Sequence, residues 1–432
     1  MSTEEEDILD VSEETTFNES IESYETFAYQ PITGTQLNTS GQIVIRVENQ
    51  DAFFHPRKSW LQIEGKLVKT AASAVYTNAD KVALTNNGLM YIFDNIKYEL
   101  NGQEIESVYN PGTASTILGL LKYPNSFNKG PGLNQCWSID TGDDTEATNE
   151  GFTTRQKYIV SKPAPKGSFR FAIDLDHIFG FCEDYTKIMY GFTHTLTLVR
   201  SSSDNNAIYR NNAAAAGKVV IDKIAWMLPH VIPKMEQRYK LYKTIQSDKE
   251  LSIGFRMRQC INTAVPATPT FTWRLGTRAS PEKPRYIIIG FQTAKNNNQE
   301  KNIATFDHCK IKNIYVQLNR TRYPDLDFNS DFDKFHIDNV YKTLTDFRQR
   351  FYNMDHLISN TTIDPLLYGE LYPLIVLDVS KQSERLKQGV VDITVEMTFA
   401  ANVPANTYAH ALVISDRKLR FKSDGKKMNI IY

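Results

Sequence analysis

Asn95-Ile96-Lys97-Tyr98-Glu99-Leu100-Asn101 and Asn313-Ile314-Tyr315-Val316-Gln317-Leu318-Asn319 are the two stretches on which the fold turns. Asn, Ile, Leu and Asn coincide, and an apolar or aromatic residue fills the fourth position of each. Each reads as a strand that ends on an asparagine suited to a turn, Asn101-Gly102 and Asn319-Arg320. A helical pattern follows each, Thr113 to Tyr123 after the first and Asp338 to Tyr352 after the second. The offset, 313 less 95, is 218 residues, about half of the 432-residue chain. Strand, turn and helix in one order at half-length spacing predict an internal duplication, with two unrelated β-domains as the alternative.

Outward from these stretches, period-two alternation dominates, as a strand with one buried and one wet face requires. Ile43, Ile45 and Val47 alternate with Gln42, Arg46 and Glu48, interrupted by Val44. Leu61, Ile63, Gly65 and Leu67 alternate with Gln62, Glu64 and Lys66; Phe192, His194, Leu196 and Leu198 alternate with threonines. Val391, Ile393, Val395, Met397 and Phe399 alternate with Asp392, Thr394, Glu396 and Thr398. Further β-rich runs fall at Val219–Met227, Phe271–Leu275, Tyr286–Phe291, Ile311–Leu318, Leu374–Val379 and Tyr408–Ile414. No long helices interleave them, so sandwiches or barrels fit better than parallel βαβ units.

Between the halves, Pro233 to Gln246 reads as a helix with proline at its first position and Met235, Tyr239, Tyr242 and Ile245 on one side. That face is expected to lie across the base of both halves. The helix of Asp338–Tyr352 spaces Val340, Leu344, Phe347 and Phe351 for burial, with Asp338 as its expected cap. Asn125 to Gly167 and Ser201 to Ala216 read as long polar loops, which in a compact β body are uncommon unless they are functional or contact a partner.

Composition narrows the class. Hydrophobic residues make up 41%, enough to bury a core, and the longest apolar runs, such as Tyr286 to Phe291, fall far short of a membrane span of about 18 residues. The acidic start lacks the features of a secretory signal, so the chain is expected to be made and folded inside a cell. Cys136, Cys182, Cys260 and Cys309 lie far apart and read as free buried thiols. The first 45 residues hold ten carboxylates and no Lys or Arg, leaving 49 basic against 40 acidic residues from Arg46 onward. Met1–Glu25 therefore reads as a mobile acidic arm, either a solubilising tail or a segment that docks on a basic surface. The body's positive charge is dispersed and is weak evidence for direct DNA binding.

Two β halves of similar size, each with about eight strands, long loops and one helix, predict an all-β fold of two tandem eight-stranded jelly rolls. The expected division is 1–25 acidic arm, 26–230 N-terminal jelly roll, 231–249 connecting helix and 250–432 C-terminal jelly roll. Phe93 to Glu106, followed by Asn110-Pro111-Gly112 and a short helix, resembles the double jelly-roll major capsid proteins. That lineage includes tailless phages, adenoviruses, virophages and the Polinton/Maverick elements with adintovirus-like relatives. The closing strand Asp416-Arg417-Lys418-Leu419-Arg420-Phe421 adds to the likeness, which is greatest for Polinton-type members.

The resemblance implies a non-enzymatic subunit that forms homotrimers, whose six barrels give a near-hexagonal footprint tiling an icosahedral shell. It implies barrels upright to the shell, neighbouring capsomers, penton and minor capsid proteins as partners, and terminal segments near the interior. The acidic arm then becomes a candidate clamp on neighbouring capsomers. The shell would enclose a DNA genome without sequence-specific nucleic-acid binding, and the chain would reside in the virion after assembly inside the host cell. A carbohydrate-binding or carbohydrate-active β-sandwich is the alternative, since aromatic-rich β surfaces also bind sugars.

A search for chemistry returns no catalytic, cofactor-binding or metal-binding residues and no cofactor. Gly-x-Ser-x-Gly, His-Glu-x-x-His and the phosphate-binding glycine motifs are missing from the sequence. Asp176-His177, Asp307-His308 and Asp355-His356 are lone dipeptides without a second histidine nearby. His194 is expected to be a satisfied core histidine, and Asp174-x-Asp176 and Asp325-x-Asp327 to flank turns.

Overall fold

The alternating runs become strands whose apolar members face each other across paired sheets. A computed structural model describes residues 20–32, 36–48, 52–162, 165–247, 250–276, 283–355, 361–382, 391–423 and 428–431. In the first half the strands are β1 (Ile21–Tyr29), β2 (Gly41–Val47), β3 (Phe53–Phe54), β4 (Trp60–Lys69), β5 (Val82–Leu84) and β6 (Phe93–Leu100). They continue with β7 (Gln103–Tyr109), β8 (Ser168–Asp174), β9 (His194–Arg200), β10 (Ile208–Arg210) and β11 (Gly217–Pro233). The second half has β12 (Leu251–Ala264), β13 (Thr270–Leu275), β14 (Lys283–Thr293), β15 (Ile311–Leu318) and β16 (Thr321–Tyr323). It closes with β17 (Ile375–Asp378), β18 (Ile393–Phe399), β19 (Thr407–Ser423) and β20 (Met428–Ile431).

The first half forms antiparallel sheets β1-β11-β4-β8 and β2-β9-β6-β7; the second forms β12-β19-β14-β17 and β13-β18-β15-β16. Setting aside the short additions β3, β5, β10 and β20, the eight strands of each half take the order 1-8-3-6 in one sheet and 2-7-4-5 in the other. That is the connectivity of a jelly roll, present twice. Inside the first, Ile43 and Ile45 of β2, Ile96 and Tyr98 of β6 and Leu196 of β9 are buried opposite Leu61 and Ile63 of β4, Phe171 of β8 and Trp226 of β11. The hydrophobic cluster is continuous from Ile43 to Ile430, so the two barrels share one core rather than merely touching.

The two opening stretches occupy matching places. β6 and β15 both stand third in their sheets, each between the strand that pairs it from afar and its hairpin partner. Both carry a register irregularity at the same point, between Phe93 and Asn95 and between Ile311 and Asn313. Both end on an asparagine with left-handed backbone, φ 50° at Asn101 and 48° at Asn319. The Asn101 Oδ1 accepts the Thr193 N–H at 2.8 Å, and the Asn319 Oδ1 accepts the Asp392 N–H at 2.9 Å. Alanine adopts this backbone only at a cost and cannot accept the hydrogen bond. Asn101→Ala and Asn319→Ala should each cost about 1–3 kcal/mol, measured by urea unfolding; a loss at one site with none at the other would contradict their equivalence.

Several expectations are corrected. Ile21–Glu25, assigned to the arm, belongs to β1, which pairs with β11 from Ile21 opposite Pro233 to Tyr29 opposite Trp226, with a register irregularity between Ile21 and Ser23. Acidity pointed to disorder there, but β11 is 17 residues long and its far end offers a backbone ladder that β1 completes. The rest of the expected arm, Met1–Glu19, lies outside the described residues. Pro233 ends β11, and the helix starts at Met235. It packs through Tyr242 on Phe53 and Tyr190 of the first barrel, with ring centroids 5.8 and 5.2 Å away, while Met235 and Tyr239 are 87% and 70% exposed. The face expected to bridge both barrels is thus divided: Tyr242 and Ile245 are packed, and Met235 and Tyr239 are turned to solvent. Asp338 is the first helical residue rather than the cap, and its carboxylate complements the helix dipole. Within the expected loop 125–167 stands the helix Glu150–Ile159, capped by Asn149, whose side chain accepts the Phe152 N–H.

Candidate functional site

The barrels meet along a seam made by β7 and the helices Pro111–Lys122 and Gly180–Asp184 on one side, and β12, β19 and the helix Asp338–Tyr352 on the other. Along β12, Ile253, Phe255 and Met257 are buried on one face, where Phe255 meets Phe181 of the first half with ring centroids 5.5 Å apart, and by strand alternation Arg256 and Arg258 lie on the other. Gly180 lets the first barrel come close: a Cβ there would lie 1.7 Å from the Arg256 carbonyl oxygen.

Charges lock this contact. The Arg258 guanidinium donates to Glu183 at 2.6 Å, to the His177 carbonyl at 2.8 Å and to the Asp176 carbonyl at 3.1 Å. Glu183 also receives Lys122 at 2.9 Å and the Tyr352 hydroxyl at 2.9 Å. Glu106, fully buried, accepts three amides: Gly180 and Arg258 on one oxygen and Phe181 on the other, at 3.2, 2.9 and 2.9 Å. Arg256 pairs with Asp184 at 2.9 Å, caps the Phe351 carbonyl at 2.8 Å and lies 3.8 Å over the Phe351 ring. Arg417 reaches back to the Ile105 carbonyl at 2.7 Å. A second clasp joins the loops: Gln299 bonds both backbone groups of Gly217, and Arg210 pairs with Glu300 at 2.9 Å.

The seam sets opposed proton affinities. Burial pushes the Glu106 carboxyl up to about 7, against the pull of Arg258 and the three amides. Burial works to raise Glu183 too, but the charges of Arg258 and Lys122 outweigh it and hold that carboxyl down at about 2. Glu183 therefore contributes stability present above pH about 4.5 and lost as pH falls toward 2. Glu106 has the opposite sign: the folded chain holds its proton longer than the unfolded one, so stability falls as pH rises from about 4.5 to about 7. The slope there should reach about 1.4 kcal/mol per pH unit, and Glu106→Gln should flatten it. Unfolding curves at several pH values check this; an unchanged slope in the variant would contradict it.

The residues singled out in the sequence serve structure. His194 is buried, hydrogen-bonded to the Tyr98 hydroxyl at 2.7 Å, and burial brings it down to about 3. His177 is sandwiched between the Tyr123 hydroxyl at 2.9 Å and Asn87 at 3.2 Å. Asp176 lies 3.7 Å from Lys122, Asp307 pairs with Lys295 at 2.9 Å, and Asp327 pairs with Arg322 and accepts from Asn313. His356 lies outside the described residues. All four cysteines are free and buried. Burial pushes Cys136 and Cys309 up to about 11, Cys260 to about 12 and Cys182 well above the usual thiol range, so none offers a thiolate at neutral pH. Among the described residues no group of three His, Cys, Asp or Glu side chains is placed to hold a metal ion. Sequence reading missed the seam residues Glu106, Glu183, Arg256 and Arg258. The alternation of Ile253, Phe255 and Met257 with Arg256 and Arg258 was available as a signal for β12, but nothing in it told that the charged face would be covered.

Comparison with known proteins agrees with this architecture. The Sputnik virophage structure determined by cryo-EM matches with a TM-score of 0.59 and 10% identity over 99% of this chain and 92% of that one. VP54 of PBCV-1, in a crystal structure fitted into a reconstruction of Sputnik, matches with 0.57 and 12% over 97% and 99%. The mavirus major capsid protein matches with 0.55 and 12% over 98% and 92%. At such identities the likeness is one of fold. No curated protein sequence matches the chain. The model of the double jelly roll-like domain, however, matches residues 82–419, reaching through both barrels and across the seam that joins them, and the chain belongs to that family.

Proposed function

We propose that this chain is a major capsid protein, a structural, non-enzymatic subunit that assembles as homotrimers tiling an icosahedral virus shell. The observation that carries the reading is the same strand order in the two jelly rolls, fused along a seam of buried charges. Three such chains supply six like barrels, a nearly hexagonal tile from a three-fold symmetric oligomer. The solved structures of like fold, spanning nearly the whole chain, include the mavirus major capsid protein and the PBCV-1 virus capsid, which supports the same reading. On this reading the partners are neighbouring capsomers with penton and minor capsid proteins, the location is the virion, and the enclosed genome is DNA contacted without sequence specificity. Placement in the Polinton/Maverick, adintovirus and adenovirus-type lineage is part of the proposal and rests on the Phe93–Glu106 likeness. The division into an arm, two jelly rolls and a connecting helix is likewise proposed, with the arm now shortened to the residues before β1. Light scattering on the purified chain should give about three times its 49.4 kDa mass; a monomer that binds glycans would overturn the reading in favour of the carbohydrate-binding alternative.

A further inference from the structure

The chain before β1 leaves the folded body at a defined point. The Ser20 carbonyl accepts the Lys234 N–H at 3.1 Å, so residues 1–19 depart beside the first turn of the helix Met235–Gln246. The outward side of that helix carries Lys243 and Lys240, the latter paired with Glu236 at 2.6 Å, and exposes Met235 and Tyr239; Arg238 stands exposed at its edge, donating to the Tyr242 hydroxyl at 3.1 Å. Past its far end, Leu251 pairs with Phe421 on β19, which brings Lys418 and Arg420 to the same end of the molecule. Residues 1–19 hold eight carboxylates and no Lys or Arg, together with Ile8, Leu9, Val11 and Phe17.

We propose that residues 1–19 dock along this helix in their own chain, carboxylates against Arg238, Lys240 and Lys243 and apolar side chains against Met235 and Tyr239. Reach allows it: the helix is about 18 Å long, and 19 residues span up to about 60 Å when extended. Tethering at Ser20 favours it, since a short linker holds the segment at an effective concentration of about a millimolar or more. A nucleic-acid backbone would match the charge but leave the two large apolar side chains uncovered. The inference stands independently of the capsid reading.

Zero-length carbodiimide coupling of the full-length protein, followed by peptide mass spectrometry of the monomer band on a denaturing gel, tests it. Amide links from Glu4, Glu5, Glu6 or Asp7 to Lys240 and Lys243 are expected. They should be lost at about 0.5 M salt, where screening shortens to a few ångströms, and lost in a variant carrying E4Q, E5Q, E6Q and D7N. Links confined to a dimer band would place the segment on a neighbouring copy and overturn the assignment. Links spread evenly over exposed lysines, or equal protection of the helix by DNA with and without residues 1–19, would overturn it as well.

Discussion

Arg258→Met should destabilise the protein by about 3–5 kcal/mol, because removing one partner of a buried ion network strands the others. Arg258 is almost entirely buried, and its loss leaves Glu183 with Lys122 and Tyr352 alone and withdraws the charge nearest Glu106. The backbone N–H of residue 258 to Glu106 survives the change. The effect should therefore read on the guanidinium only. A matched control is Arg274→Met: that side chain is 76% exposed and pairs with Asp392 at 2.8 Å, an ion pair worth about 0–1 kcal/mol. Chemical unfolding of both variants against the parent checks the contrast. Equal small losses would show that the seam charges do not hold the barrels together.

Gly180→Ala should cost about 3 kcal/mol or more, at the upper end of overpacking effects. The obstacle is a backbone carbonyl, that of Arg256, and Arg256 is held in the β12–β19 ladder opposite Asp416, so it cannot swing aside as a side chain would. Relief requires the helix Gly180–Asp184 to withdraw from β12, which loosens Asp184–Arg256 and the amides on Glu106 together. Gly254→Ala on the same strand meets open space and should be nearly neutral. Paired unfolding measurements decide it. If Gly180→Ala melts like the parent, the two barrels are not packed as closely as described.

What the sequence revealed, and what it hid, follow from the range of each signal. Strands with one covered and one wet face announced themselves by alternation, as at Ile393–Phe399, and the repeated Asn-Ile motif carried the duplication because its turn asparagine has the same backbone task twice. β1 escaped notice because its side chains are mostly exposed, so no alternation marks it and only its backbone pairing with β11 makes it a strand. The helix Met235–Gln246 was legible as a helix but not in its orientation, since only the position of Phe53 and Tyr190 decides that Tyr242 of its apolar stripe is covered while Met235 and Tyr239 are not. The seam was least legible of all. Glu106, Glu183 and Arg258 are charged residues of the kind a sequence reading assigns to solvent, and they are buried because the two jelly rolls close over one another there, bringing Arg258 onto Glu106 from 152 residues away and onto Glu183 from 75.

On the proposed reading, a double jelly roll in one chain fills a six-sided tile with three identical molecules, and the buried charges of the seam are what would keep each pair of barrels in fixed relation. Electron microscopy of the purified oligomer tests that claim most directly. Class averages viewed down the symmetry axis should show a three-fold particle with a near-hexagonal outline and six barrel densities in a ring. A monomer, a two-fold dimer or a ring with any other number of barrels would contradict the account.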